Sequence, residues 1–278
     1  MSQKRRFTKV QAAGNDFILF DCLQEPELPW SSLAPRLCDR HRGIGSDGLL
    51  IVLPSVGADF RMRMFNPDGT EDFCGNGLRC VARYLHATGL HRQSELILET
   101  IQGARQLRFL PGDGTPGIEA NMGVPRWDAA AIPARGPADP LVGVPLEVAG
   151  VPFVLTSLST GTAHTVLFRE ELPDDALFLS VSPALETHEW FPERTSVLWC
   201  QAEVYGRLRL RIWERGVGET LACGSGVCAA AAAAVRHGLA GKERVEVFCP
   251  GGAFQVRWEG SEQWLRGPAE IVFEGSLS

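Results

Sequence analysis

Two cysteines in this sequence share one local context. Phe65-Asn-Pro-Asp-Gly-Thr-Glu-Asp-Phe-Cys74-Gly-Asn-Gly and Trp213-Glu-Arg-Gly-Val-Gly-Glu-Thr-Leu-Ala-Cys223-Gly-Ser-Gly each pass from an aromatic residue, through a glycine five residues before the cysteine and a nearby glutamate, into Cys-Gly-x-Gly. An apolar run follows each motif, which predicts a helix starting at each cysteine. A helix start lowers a thiol's pKa, because its unpaired N–H groups and its dipole favour the thiolate. The glycines keep side chains clear, so the backbone amides of Gly75, Asn76, Gly224 and Ser225 can converge on an anion such as a carboxylate. A carboxylate held between two such starts puts its α-carbon between two thiols. One thiolate removes the α-proton from one face and one thiol delivers a proton to the other, which is the chemistry of a two-base racemase or epimerase. The two thiols titrate as a coupled pair, and the amides offset charge that builds on the carboxylate as the α-proton leaves.

Other chemistries fit the spacing less well. The six remaining cysteines, Cys22, Cys38, Cys80, Cys200, Cys228 and Cys249, read as packing residues, the commoner role for a buried thiol. Zinc sites favour two residues between paired cysteines, whereas Cys74 to Cys80 and Cys223 to Cys228 have five and four, so no metal is expected. A single Cys–His nucleophile with His41, His164 or His188 would leave the duplication unexplained. Ser46 lacks the nucleophile-elbow sequence. The loop Gly43-Ile-Gly-Ser-Asp-Gly48 spells G-x-G-x-x-G, yet it follows a predicted helix and enters a strand, the reverse of a dinucleotide site.

These motifs need a scaffold that presents the same element twice. The chain has 278 residues, 45% of them hydrophobic and 22% charged, enough for two cores. A net charge of −6 argues against a nucleic-acid partner. The first residues, Met-Ser-Gln-Lys-Arg-Arg, are not followed by an apolar export segment, and the apolar run 227–235 is about half of the ~18 residues that a membrane span needs. A cytoplasmic protein with a small-molecule partner, and no membrane or nucleic acid, is expected.

Strands are predicted at 7–12 and 17–22 with Asn15 on the loop between them, then a helix over 31–41 capped by Ser31 and stopped by Gly43. Strands follow at 49–53 and 60–65. After Cys74, Leu78, Val81, Ala82 and Leu85 form one apolar helical face, with Arg79 and Arg83 off it. Strands at 95–101, 105–110 and 117–122 complete the first half. Residues 123–145 hold five prolines and read as an inter-domain linker. The second half repeats the plan, with strands near 146–148, 152–157, 164–168, 197–204, 208–213, 245–248, 254–258 and 270–273, and one alanine-rich buried helix closed by Arg236, His237 and Gly238. The expected fold is α+β, two similar domains, each a sheet or barrel wrapped around a central helix.

With Gly14-Asn-Asp-Phe17, Phe65-Asn-Pro-Asp-Gly69, Cys74-Gly-Asn-Gly77, Trp213-Glu-Arg-Gly216 and Ala222-Cys-Gly-Ser-Gly226 in this order, the chain resembles the diaminopimelate epimerase family over nearly its whole length. The resemblance implies amino-acid epimerisation without a cofactor, pseudo-symmetric domains with the active site in the cleft between them, and a homodimer. It implies domains over 1–122 and 123–266, with the C-terminal strand in 267–278 returning to the first. By matching position, Cys74 and Cys223 would be the two acid/base residues. Asn66, Asn76 and Glu214 would contact the reacting centre, and the backbone of Gly75, Gly224 and Ser225 its carboxylate. Asn15 and Arg215 would line the rest, and His164 would lie near a thiol.

Two departures bear on the substrate. Gly161-Thr162-Ala163-His164 stands where the family has Gly-Asn-Pro-His, and Arg194-Thr195-Ser196 where it has Arg-Thr-Asn. Two amides expected at the distal end of the substrate are thus replaced by hydroxyls of shorter reach. Gly48 also stands where some members carry a side-chain amide. LL- and meso-diaminopimelate lead as the substrate pair, with a racemase of another amino acid, such as histidine or glutamate, as the rival. A non-catalytic amino-acid-binding protein would have no use for a second thiol. Two thiols facing one α-carbon are close enough to oxidise to a disulfide. Activity is therefore expected to fall on mild oxidation and return with reductant; an enzyme indifferent to oxidant would show that the thiols do not face each other.

Overall fold

The computed structural model describes residues 4–112 and 117–277. Residues 1–3, and with them the start of the segment read above as non-export, lie outside it. The chain divides into two compact units, Met1–Asn121 with Arg266–Ser278, and Met122–Leu265.

The first unit contains β1 (Arg5–Ala12), β2 (Asn15–Asp21), α1 (Trp30–Cys38), β3 (Gly48–Leu53), β4 (Phe60–Phe65), β5 (Glu71–Asp72), α2 (Gly75–Ala87), β6 (Glu95–Thr100), β7 (Gly103–Leu110) and most of β8 (Gly117–Gly123). The second contains β9 (Val142–Val148), β10 (Val151–Ser159), β11 (Ala163–Arg169), α3 (Asp175–Glu186), β12 (Ser196–Val204), β13 (Arg207–Glu214), β14 (Gly218–Thr220), α4 (Gly224–Arg236), β15 (Val245–Cys249), β16 (Gly252–Glu259) and most of β17 (Glu262–Gly267); β18 (Glu270–Leu277) then closes the chain.

The duplication is topological as well as sequential. In the first unit β1–β2 is antiparallel, β2–β3 parallel, β3–β4 antiparallel, β4–β6 parallel and β6–β7 antiparallel. In the second, β10–β11, β11–β12, β12–β13, β13–β15 and β15–β16 repeat that series pair by pair. A parallel pair needs a crossover, and helices supply it at matching places: α1 and α3 after the second strand of each series, α2 and α4 after the fourth. On its other edge β1 pairs antiparallel with β18, and β10 with β9. The last strand of the chain therefore does for the first unit what β9 does for the second.

Each unit's sheet surrounds one helix. α2 packs on β1 to β4 and β18, and α4 on β10 to β13, β15 and β16. Ten residues of α4 are buried, including its six consecutive alanines, whose small side chains let strands approach on every side. Its C-terminal neighbour His237 accepts or shares a hydrogen bond with Thr156 Oγ1 at 2.7 Å, tying α4 to β10.

Several sequence expectations are corrected. Residues 123–145 are not a linker. Arg126 exchanges both backbone hydrogen bonds with Ser159 at 2.8 Å, Ile132 and Leu141 are buried in the second unit's core, and Pro145 lies in β9, whose described pairing is to β10 alone. Proline spoils regular structure but is tolerated at a sheet edge, so the apolar residues between still pack. Asn15 is the first residue of β2 rather than a loop residue. Helix α1 begins at Trp30 behind Pro29 with no side-chain cap, and it ends at Cys38 because the Asp39 carboxylate takes the amides of His41 (2.7 Å) and Arg42 (2.8 Å). Arg79 is fully buried, not off the packed face. Helix α3 was not expected: Pro183 interrupts its pattern, although Asp174 caps it by accepting from Leu177 N at 2.8 Å. Strand β17 was also missed.

The Gly43–Gly48 loop takes its glycines from close packing. The amides of Ile44 and Gly45 both donate to Leu37 O at 3.0 Å and that of Ser46 to Cys38 O at 3.1 Å, so they complete α1 instead of cradling phosphate. A Cβ on Gly43 would meet Arg36 O at 2.2 Å and Leu37 O at 2.6 Å. Gly43→Ala is expected to destabilise the protein by about 1–3 kcal/mol, while Gly57→Ala, with nothing within 4 Å, stays near wild type; equal denaturation midpoints for the two would contradict this packing.

Candidate active site

The residues expected to do chemistry form two groups, one per unit. Cys74 is the N-cap of α2 with φ −139 and ψ 116, and Cys223 the N-cap of α4 with φ −131 and ψ 113. At both, the carbonyl accepts from the residue four on, Leu78 at 3.1 Å and Val227 at 2.8 Å. The Cys74 sulfur also receives the amide three on, Gly77, at 3.4 Å, whereas the Cys223 side chain makes no such cap hydrogen bond. The amides of Gly75 and Asn76, and of Gly224 and Ser225, are the first of each helix, and helix geometry gives them no intrahelical acceptor. A Cβ on Gly77 would meet Leu50 at 2.8 Å and one on Gly226 would meet Leu198 at 3.0 Å, so glycine is what allows each helix start to sit so close to its strand.

In the first unit, the Cys74 thiol faces Asn15 Oδ1 at 3.7 Å, and Asn76 Nδ2 donates to the same oxygen at 3.2 Å. Arg79 Nη2 donates to Asn76 Oδ1 at 2.5 Å and Nη1 to Gly75 O at 3.2 Å. Asn15 Nδ2 donates to Asp47 at 2.9 Å. Asn66 heads the turn from β4 to β5, with its side chain donating to Thr70 Oγ1 at 3.0 Å. The sequence reading singled out neither Asp47 nor Arg79 for the site; one lies in the discarded glycine loop and the other was placed off the apolar helical face.

In the second unit, Ser225 Oγ lies 3.4 Å from Cys223 Sγ and 3.1 Å from His164 Nε2, which also lies 3.1 Å from Thr162 Oγ1. Thr160, also unforeseen, donates to Ser225 O at 2.9 Å. Burial, followed by the charge of Arg215, holds the His164 pKa down to about 3, so the imidazole is neutral near pH 7. Ser196 Oγ accepts from Arg215 N at 3.1 Å, and the Arg215 guanidinium donates to Glu193 O at 3.1 Å. Glu186 fixes the motif from below through Trp213 Nε1 (2.7 Å) and Gly216 N (2.8 Å). His41 is exposed, and His188 accepts from Trp190 N at 3.2 Å. Among the described residues, no three His, Cys, Asp or Glu side chains converge to hold a metal ion.

The expectation of a lowered thiol pKa fails at Cys223. Burial raises it well above the usual thiol value and the carboxylate of Glu214 raises it further, outweighing Ser225 and the Gly226 amide. Phe65 pairs with Leu49 as Trp213 pairs with Val197, so the next residues, Asn66 and Glu214, hold equivalent places. The duplicated scaffold thus gives one cysteine motif a neutral amide and the other a charge.

The geometry can be set beside known proteins. The profile of the diaminopimelate epimerase family matches residues 7–127 and 156–272. The chain belongs to that family. It is similar to the diaminopimelate epimerases of Pelotomaculum thermopropionicum, at 43% identity over 97% of each chain, and of Desulforudis audaxviator, at 43% over 97% of this chain and 98% of that one. Among solved structures, a Bacillus anthracis phenazine biosynthesis protein of the PhzF family shares the fold with a TM-score of 0.72 at 18% identity, covering 99% of both chains. A hydroxyproline epimerase from Agrobacterium vitis, solved with trans-4-hydroxy-L-proline, does so with a TM-score of 0.71 at 14% identity over 99% of this chain and 91% of that one. No described helix is long and apolar enough to cross a membrane.

The charge of Glu214 opposes the Cys223 thiolate, so removing it lowers the pH at which that thiol ionises. Glu214→Gln is expected to shift the pH profile of Cys223 alkylation to lower pH in peptide-resolved mass spectrometry; an unmoved profile would leave burial as the sole cause.

Proposed function

We propose that this protein is a cofactor-independent isomerase that inverts an amino acid at Cα with Cys74 and Cys223 as its two acid/base residues, and that LL- and meso-diaminopimelate are its substrate pair. The observation that carries this reading is the matching placement of the two cysteines, each an extended N-cap on a helix start that leaves two amides open. The substrate rests on the name borne by relatives 43% identical over nearly the full chain.

In this reading the amides of Gly75, Asn76, Gly224 and Ser225 hold the α-carboxylate, and their N–H groups stabilise charge that grows there as the α-proton leaves. Cys223 carries its proton at rest, since burial and Glu214 both favour the thiol, and it acts as the acid in the turnover that starts from this state. Cys74 is then the base, and the roles exchange in the reverse direction. Asn15, Asn66, Asn76, Glu214 and Arg215 contact the substrate, Arg215 by pairing with a distal carboxylate. The same reading makes the enzyme a cytoplasmic homodimer.

A racemase of another amino acid, such as histidine or glutamate, is the second reading. It is favoured by Thr162 and Ser196, whose hydroxyls bond His164 and the Arg215 backbone within the protein. Reduced protein incubated with LL-diaminopimelate and a panel of L-amino acids in D₂O is expected to exchange the α-proton of LL-diaminopimelate and yield the meso isomer. Exchange with another amino acid alone would keep the mechanism and replace the substrate, and no exchange at all would sink the reading. Cys74→Ala and Cys223→Ala are each expected to lower inversion by about 10²-fold or more; near wild-type turnover in either would remove that cysteine from the mechanism.

A further inference from the structure

We propose that Asp47 and Arg79 are positioning residues that lock the polarity of an amide relay, Asp47–Asn15–Asn76–Arg79, so that an oxygen and not an N–H faces the Cys74 sulfur. The inference rests on the reading of Cys74 as an acid/base residue. It concerns what sets the balance between thiol and thiolate there.

A primary amide can turn end for end with almost no change of shape, so Asn15 and Asn76 by themselves do not define which atom meets the sulfur. The two ends of the relay do. The Asp47 carboxylate only accepts hydrogen bonds, and its Oδ2 takes Asn15 Nδ2 at 2.9 Å together with the Asp16 amide at 3.1 Å. Its other oxygen takes Arg40 Nη2 at 2.7 Å. Asn15 must therefore turn its NH₂ to Asp47 and its oxygen to Cys74. At the far end the Arg79 guanidinium only donates, to Asn76 Oδ1 at 2.5 Å, so Asn76 turns its NH₂ to Asn15, 3.2 Å from Oδ1. Both ends impose the same direction.

Charges behind the relay hold it in place. Arg40 bridges Asp47 and Asp16 at 2.7 and 2.6 Å, and Lys9 pairs with Asp16 and with the Gly45 carbonyl. The Asp16 carboxyl keeps a pKa below the ordinary value: burial opposes this, but the hydrogen bonds and charges of Arg40 and Lys9 prevail. The glycine loop of 43–48, which offers no phosphate cradle, acquires a purpose, since it delivers Asp47 to the base of the relay.

The consequence falls on the thiol. The Gly77 amide at 3.4 Å and the helix start favour the thiolate, whereas Asn15 Oδ1 at 3.7 Å accepts from S–H and turns lone pairs toward S⁻. A group that must both give and take a proton works best when neither form is trapped. Reversal of Asn15 would add an N–H donor to those already favouring the thiolate.

The test is the pH dependence of iodoacetamide alkylation at Cys74, read on its own peptide by mass spectrometry in the otherwise intact protein. Asp47→Asn can donate as well as accept and so releases the polarity; its profile is expected to move to lower pH, with alkylation about tenfold faster below the wild-type midpoint, the equivalent of one pK unit. Asp16→Asn removes the same charge from the same ion cluster but leaves the partner of Asn15 Nδ2 in place, and a shift of less than about half a unit is expected on that scale. Arg79→Lys, whose ammonium likewise only donates, keeps the direction imposed on Asn76 Oδ1 and is expected to leave the profile within about half a unit of wild type on that scale. Equal shifts for Asp47→Asn and Asp16→Asn, or no shift for Asp47→Asn, would overturn the relay. Should Asp47→Asn lose its native circular dichroism, Asp47→Ser is read by the same criteria. Because alkylation needs no turnover, failure of the relay and failure of the epimerase reading are separate results.

Discussion

The open amides at the first turn of a buried helix are the constraint on which the rest of this structure depends. Such amides are costly to bury unless something accepts from them. Here each set follows directly on a cysteine whose own backbone is extended, so open amides and a thiol share the same turn. The sheet around each helix fixes that turn. Leu50 on β3 and Leu198 on β12 press against the third residue of α2 and α4, where glycine leaves room for their methyl groups. Strand and helix start are thereby held close together in both units.

The duplication supplies symmetry of placement but not of chemistry. Strand order, crossover helices and cap geometry repeat between the units, while the side chains around the sulfurs do not. Cys74 faces an amide relay anchored by two charges, and Cys223 faces Ser225, a neutral buried His164 and the carboxylate of Glu214. The equivalent positions Asn66 and Glu214 carry one part of that difference, an amide in one unit and a carboxylate in the other.

Stiffness around the site comes from polar groups that are themselves paired. Arg79 is fully buried, and its three described acceptors, Asn76 Oδ1, Gly75 O and Pro268 O, span α2 and the segment just before β18. Glu186, from α3, holds the Trp213 indole and the Gly216 amide. A buried charge from α2 and another from α3 thus brace the segments around the two motifs. Buried charges of this kind are costly to remove singly, which makes them effective at specifying one arrangement.

The sequence by itself determined the pair of cysteine motifs, the helix that follows each, and most of the strands, because these depend on local periodicity and on the glycines around each cap. It also carried the family, through five short motifs in order. Only tertiary structure decided what lies behind the cysteines. The thiol of Cys223 is raised rather than lowered because burial and Glu214 act through space against a helix start that is local. Residues 123–145 read as a linker because proline hides order from any periodic template, although Ile132 and Leu141 are core. Asp47 sat in a failed nucleotide motif, and Arg79 was set off the apolar face of its helix. Asp47 bonds Asn15, 32 positions away, and Arg79 bonds Pro268, 189 positions away, pairings that no spacing rule encodes. The two cysteines were therefore legible in one dimension, and their electrostatic setting only in three.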